Sequence, residues 1–498
     1  MRNRSIGAMT HAASAGMRFG GEGFVPLFLT ALLTLLASKG LALIPGYAGD
    51  DVLRLFEPTP GRRFLAQGRF TEAVIAVLAN RTGLGFDVIW WPSVVLLMPL
   101  ASVVIALSVQ RATRGTSALP WQCLAAALAA SAPLWTEIFL FRTAMPAQAA
   151  GWLALGGFLR ATDLSRHPAV GAGLAAIAVA AGVGAYQPIL AMFLALAMVE
   201  LVPSGVDGRR LRDRLLAPAP LGFVAGIVLY AVVVAGSVLV FGSDAVEQRG
   251  GFISVAQIPD RAVVLLTHLL DPFGSRDPAM AGALFAALMG FLGAALLVAM
   301  PAGAGRVALA VAMLAATSLA ILAPLMALAI VWLPGRTLMA GGFVIALAVA
   351  LVGPAIRPVP ARLLLVPGFV VVFLQCGASS LMLLDQQRMN RWDLGRARHI
   401  ARDVQAVHDG RRPTELILVG LAWQQVGPPL RTAWFDRNIS SLRIAWAVQA
   451  TFREATGEAW QVTGRDTHEA CQGSPVWPQA GAIHARPEGT IVCVGTAR

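Results

Sequence analysis

"FVPLFLTALLTLLASKGLALIPGYAGDD", residues 24 to 51, opens with a long apolar run and closes on two adjacent carboxylates, Asp50 and Asp51. An apolar run of about twenty residues is long enough to cross the hydrocarbon core of a bilayer as a helix. Comparable runs recur along the chain. Of its 498 residues, 57% are hydrophobic and 13% charged, and the mean hydropathy is +0.68. No soluble domain of this size can hide that much apolar surface, so the expected fold class is a polytopic α-helical membrane protein. Spans are expected near 24–44, 86–109, 120–135, 144–159, 168–185, 188–203, 219–241, 280–300, 307–333, 338–356 and 363–384, about eleven in all. Several of the middle ones are short, as in helices that end inside a cavity.

The net charge of +12 does not point to nucleic acid. The arginines sit mostly in short loops between apolar runs, where they act as topology signals. Arg2, Arg4 and Arg18 precede the first run. Arg111 and Arg114, Arg160 and Arg166, Arg209 to Arg214, Arg306, and Arg357 with Arg362 occupy alternate loops after it. With an odd number of spans, residues 1–23 lie in the cytoplasm and the C-terminus lies outside. Residues 1–23 carry no small-residue cleavage site, so the first run reads as a retained span. Lys39 is the only lysine.

On this topology the polar residues without a topological job collect on the outer face. The first outer loop, 45–85, includes "FTEAVIAVLANRT" at 70–82. Phe70, Val74, Val77 and Leu78 share one helical stripe there, with Glu72 and Arg81 off it, as in a helix lying in the interface. Residues 254–270 repeat that pattern less cleanly, with Pro259 expected to bend the helix. From about 385 the character changes. A helical pattern through Met389, Trp392, Ile400, Val404 and Val407 precedes "TELILVGL" and "TIVCVGT", which read as strands on either side of a second helix. Residues 385–498 are therefore expected to form a small α/β domain outside the cytoplasm. Cys471 and Cys493 lie in it, and an oxidising compartment allows them to pair as a disulfide. Free thiols at separate places are the competing reading.

Four places can carry chemistry. Adjacent carboxylates repel, so holding both Asp50 and Asp51 calls for compensation by Arg54, one turn on, or by Arg69. One carboxylate is explained by helix capping; two at the mouth of a membrane cavity suit a general base. Asp51 is favoured as that base by its spacing from Arg54. In "PLWTEIFLFR", Glu137 and Arg142 are either a surface ion pair or charges embedded among Leu, Ile and Phe for a purpose. Tyr186 and Gln187 follow the fifth span, as an interface aromatic and a partner for a sugar hydroxyl. Arg336 either snorkels or forks onto a phosphate. There is no phosphate-cradling Gly-Lys-Ser/Thr loop, metal-spaced His or Cys cluster, or Gly-x-Ser-x-Gly elbow. His268 and His399 stand apart.

In this order, "YAGDDVLRLF…GRF", "PLWTEIFLFR", "AYQPIL" and "DQQRMNRWDLGRARHIA" resemble the bacterial serotype-converting type II O-antigen glucosyltransferases, members of the GT-C superfamily. The resemblance covers nearly the whole chain. One departure is "IFLFR", where relatives carry a serine or tyrosine shortly before the arginine. The resemblance implies a GT-C-like fold in the bacterial inner membrane. It also implies a hexose donor linked to polyprenyl phosphate and a cell-surface glycan acceptor on the periplasmic side. Chemistry would be inverting displacement, with Asp50 or Asp51 as base and arginine on the departing lipid phosphate. Arg54, Arg69, Glu137, Arg142, Tyr186, Gln187 and Arg336 become candidate substrate-binding residues. No cofactor is required, though paired aspartates leave a divalent ion open. The rival from another class is a transporter or flippase of lipid-linked sugars, which needs neither a base nor an outer domain. A polymerase or ligase would need a larger outer loop than 242–279.

Overall fold

The computed structural model describes residues 23–44, 46–54, 61–114, 116–163, 167–201, 211–241, 253–268, 278–327, 335–420, 428, 430–432, 437–487 and 489–495. Its helices are α1 (Phe24–Lys39), α2 (Gly49–Arg54), α3 (Gly61–Ala66), α4 (Phe70–Thr82), α5 (Phe86–Thr113), α6 (Leu119–Ser131), α7 (Pro133–Thr136), α8 (Met145–Thr162) and α9 (Pro168–Ala185). They continue with α10 (Leu190–Val199), α11 (Leu211–Leu215), α12 (Pro218–Phe241), α13 (Ile258–His268), α14 (Pro278–Ala327), α15 (Ala340–Val352), α16 (Pro358–Val407) and α17 (Val448–Thr456). The strands are β1 (Leu416–Val419), β2 (Val462–Arg465), β3 (Ile483–Arg486) and β4 (Gly489–Cys493).

Among the described residues, eight helical segments are long and apolar enough to cross a membrane. The protein is therefore a polytopic helical membrane protein. Its core is one apolar cluster through α1, α5, α6, α8, α9, α10, α14 and α15, with Leu97, Ile105, Phe158, Phe193 and Leu347 fully enclosed. The outer faces stay apolar too: Val232 is 62% and Phe373 77% exposed. Apolar residues inside and out are what a bundle surrounded by lipid requires.

The sequence expects about eleven passes, and the difference from eight has three local causes. Gly303 leaves helical geometry at φ −150°, so α14 is two helices that meet at a kink. The segment 187–199 is apolar but short. The third is α8, which is 18 residues long and falls outside the eight; its first turns carry Pro146 and Gln148.

The chain alternates between two ends of the bundle. At one end, Arg111 pairs with Asp163 and Glu200, Arg306 bonds Leu351 O, and Trp121 bonds Val349 O. Gly303 packs there as well, since a Cβ on it would meet Ala355 at 2.3 Å. The other end gathers Ile44, Arg142, Tyr186, Arg336 and Gln387. Between the ends, polar links stitch the helices: Lys39 Nζ to Ala130 O at 2.7 Å, Ser131 to Gln375 at 2.6 Å, and Thr136 to Ser379 at 2.8 Å. Such bonds hold helices together where lipid gives no hydrophobic drive.

α16 is a single helix of 50 residues, on the order of 75 Å long. A hydrocarbon core is about 30 Å thick, so the polar half of this helix projects beyond it. The change in composition near 385 thus falls inside an unbroken helix. Its outer half packs on a four-stranded sheet of order β2-β1-β4-β3, parallel except for β3 against β4. Strand alternation divides the two faces. Leu416, Leu418 and Val492 meet Ile400, Val404 and Phe452, while Ile417, Val419 and Ile491 turn the other way with Cys471 and Cys493. Those two cysteines form a disulfide, with Cα atoms 5.6 Å apart. In the loop 242–279, α13 starts after a short 3-10 turn. Pro259 stands in its first turn and begins the helix instead of bending it, because a missing N–H costs nothing there.

Candidate functional site

The first loop is built to hold Asp51. α1 ends in a 3-10 turn, the chain extends through Ile44, and α2 starts at Gly49. Asp51 Oδ2 accepts the Ala48 N–H at 3.0 Å, as the third residue of a capping box reaches back to its cap. The same oxygen accepts the Arg142 N–H at 3.0 Å. Oδ1 accepts both the N–H and the hydroxyl of Thr143, at 3.0 and 2.8 Å. One buried carboxylate therefore caps two helical starts, α2 and the turn that opens α8. Burial pushes its carboxyl above the ordinary carboxylate range, and these hydrogen bonds to the ionised form act in the opposite direction. The tail domain presses on the same loop: a Cβ on Gly49 would meet the Ile444 Cδ1 methyl at 2.2 Å, so a larger residue there would require that side chain to move. The side chains of Asp50 and Arg54 lie outside the described residues.

Glu137 and Arg142 are not a surface ion pair. They are 1% and 4% exposed and turn to different partners. The Arg142 guanidinium lies 3.7 Å from the Trp90 ring centre and 4.5 Å from that of Tyr47, and its Nη2 donates to Ile44 O at 2.9 Å. Burial lowers its pKa to about 10, which leaves it cationic at neutral pH. Glu137 takes Arg336 at 3.5 Å on one oxygen and Arg437 at 3.3 Å on the other. Arg336 also stacks 4.1 Å from Phe141.

Arg69 pairs with the buried Glu72 and lies 5.3 Å from the ring centres of both Phe64 and Tyr186. Burial pushes the Tyr186 phenol up to about 12, with Arg336 and Arg69 pulling it down and Glu137 and Glu72 pushing it up. Those five groups thus share one electrostatic neighbourhood, although they come from four separate loops. Gln187 is already engaged, donating to Gln67 O at 2.7 Å and hydrogen-bonding the Tyr230 hydroxyl. α4 presents Ala73, Ala76 and Ala79 to the bundle and leaves Val74, Val77 and Leu78 exposed. Glu72 is on its inner side, where the expected stripe put a polar residue facing out.

Three contributors were not singled out as site residues, although Asp385 and Asn390 lie in the quoted stretch "DQQRMNRWDLGRARHIA". Arg437 is 1% exposed and brings the tail domain to Glu137, with its Nε bonded to Thr432 O at 2.8 Å. Asp385 accepts the N–H groups of Arg431 and Thr432 at 2.9 Å and locks that segment to α16. Asn390 bonds both the N–H and the C=O of Tyr47. A signal for the last was present: Gln386, Asn390 and Asp393 form an i, i+4, i+7 polar stripe on a helix. Nothing around Arg437 marked it.

Chemically, the assembly offers several guanidiniums in a site of low dielectric, suited to an oxyanion or phosphate, beside a loop with two carboxylates. Among the described residues no three His, Cys, Asp or Glu side chains gather as a metal site. Comparison with family models, curated proteins and solved structures finds no match to this chain.

Proposed function

We propose that this protein is an inverting, GT-C-like glycosyltransferase of the bacterial inner membrane. It moves a hexose, with glucose the first sugar to try, from a polyprenyl-phosphate-linked donor to a cell-surface glycan at the periplasmic face. One observation carries the reading. Loops far apart in sequence converge at one end of the bundle on a buried set of Arg69, Glu72, Glu137, Tyr186, Arg336 and Arg437, beside the Asp50–Asp51 loop.

The alternation of ends supports eleven crossings. That count treats α14 as two passes about Gly303 and adds α8 and the 187–199 helix to the other segments. It puts the arginine-rich loops in the cytoplasm and the site, with the disulfide-bearing domain, outside. In the proposed reaction a carboxylate deprotonates the acceptor hydroxyl, which attacks the anomeric carbon as the lipid phosphate leaves onto arginine. Asp51 has both oxygens engaged, so the role of base passes to Asp50, and Asp51 positions the loop. No metal ion is called for, because guanidinium can neutralise the leaving phosphate.

The test is transfer of radiolabelled glucose from polyprenyl-phosphate glucose to endogenous glycan in membranes containing the protein. Transfer that depends on Asp50 and Arg336 supports the reading. Absence of transfer, with movement of the lipid-linked sugar across vesicles, replaces it with a flippase.

A further inference from the structure

At the end of the bundle opposite the candidate site, α5 and α8 part to leave a groove of about 380 Å³. Val103 and Leu107 of α5 form one wall, and Leu153, Gly156 and Gly157 of α8 form the other. Leu153 is 64% exposed, so the groove opens sideways from the bundle. Around helices that cross a bilayer, what lies there is acyl chain and not water.

The groove ends in charge where both helices run out, at Arg111, Arg160 and Asp163. Arg111 is already engaged, with Thr162, Leu159 O, Asp163 and Glu200 around its buried guanidinium. Arg160 is exposed and makes no described ion pair, though it stands close enough to Asp163 to act on its charge. Asp163 gives one oxygen to Arg111, and its side chain is 29% exposed. Its second oxygen has no described donor. The rim therefore presents a guanidinium and a carboxylate oxygen three residues apart on one helix end, above an apolar shaft. A plain anion on Arg160 would meet Asp163. A headgroup with both a phosphate and a primary ammonium satisfies the two together.

The geometry points to a binding site for one aminophospholipid of the phosphatidylethanolamine type in the leaflet at this end. Its phosphate lies on Arg160, its ammonium on Asp163, and one acyl chain runs along Leu107, Val103 and Leu153. The site requires only that the helices cross a membrane and is independent of the proposed transfer activity.

The full-length protein, delipidated in detergent, is titrated with phosphatidylethanolamine, phosphatidylglycerol or phosphatidylcholine while native mass spectrometry counts bound lipid. One phosphatidylethanolamine per chain is expected, held more tightly than the other two. Arg160→Gln should weaken it about fivefold, the effect of one basic contact at a membrane surface. Leu107→Trp, which fills the shaft and leaves the rim alone, should prevent its retention while gel filtration shows an unaltered, monodisperse protein. Phosphatidylglycerol or phosphatidylcholine bound as tightly, no retained phosphatidylethanolamine, or retention unchanged in both variants would overturn the assignment.

Discussion

Asp51 spends both carboxylate oxygens on the polypeptide that surrounds it. Each accepts two hydrogen bonds, from Ala48 and Arg142 on one side and from Thr143 twice on the other. Replacing it with Asn turns an amide N–H₂ toward donors whichever way the group lies, and leaving buried donors unpaired costs about 1–3 kcal/mol each. Asp51→Asn is therefore expected to lower the melting temperature of the purified protein. Asp50→Asn should leave melting unchanged and cut sugar transfer by about a hundred- to ten-thousand-fold, the usual loss for a general base. Paired melting and transfer assays separate the two. Equal destabilisation by both substitutions would assign both aspartates to the scaffold.

Among elements, α16 does the most to connect the parts. Gln386 donates to Leu140 O at 2.6 Å, Asn390 brackets Tyr47, and Asp393 takes Ser440 and Ser441. A helix is stiff enough to carry those bonds from the membrane into the tail domain at fixed spacing. Asp393→Ala removes the carboxylate that accepts from the Ser440 and Ser441 hydroxyls and the Ser441 N–H, and should cost about 1–3 kcal/mol. It should appear as faster protease cutting of the segment 440–487 in otherwise intact membranes. The Glu137–Arg437 pair joins the same units from the loop side. Arg437→Met removes one of the two described ion-pair partners of Glu137, and breaking a buried pair costs about 3 kcal/mol or more. The double variant with Glu137→Gln should lose less than the sum of the singles in thermal melts. A strictly additive result would mean that the pair contributes nothing.

At the scale of the molecule, the arginine-rich and carboxylate-bearing ends differ in which compartment they face. A phosphatase that works only outside the cytoplasm, fused after residue 498, should be active. Activity only from a cytoplasmic reporter would invert the topology, and the proposed donor with it. The disulfide gives a second check on the same point. Closing a loop of about twenty residues stabilises by roughly 3 kcal/mol, so Cys471→Ser should lower the stability of the outer domain by that order. Wild-type protein, denatured without reductant, should label at Cys123 and Cys376 but not at the tail cysteines. Labelling at Cys471 and Cys493 would show them reduced in the cell.

The membrane class, the helix positions and two of the tail's four strands, β1 and β4, were legible in sequence because they rest on local periodicity and on run length, whereas the short β2 and β3 were not read. Apolar runs of bilayer length leave no other fold class, and alternate arginines mark the loops whatever the helices do in three dimensions. The assignment of Asp51 as base was not secure from sequence, because spacing to Arg54 says nothing about backbone N–H groups arriving from residues 142 and 143. Pairing of Glu137 with Arg336 and Arg437, across 199 and 300 positions, was equally out of reach. Those contacts depend on which loops the bundle brings to one end and on how the tail domain seats on α16. Only the packed chain decides them, since a buried charge takes the partner that geometry delivers, near or far in sequence.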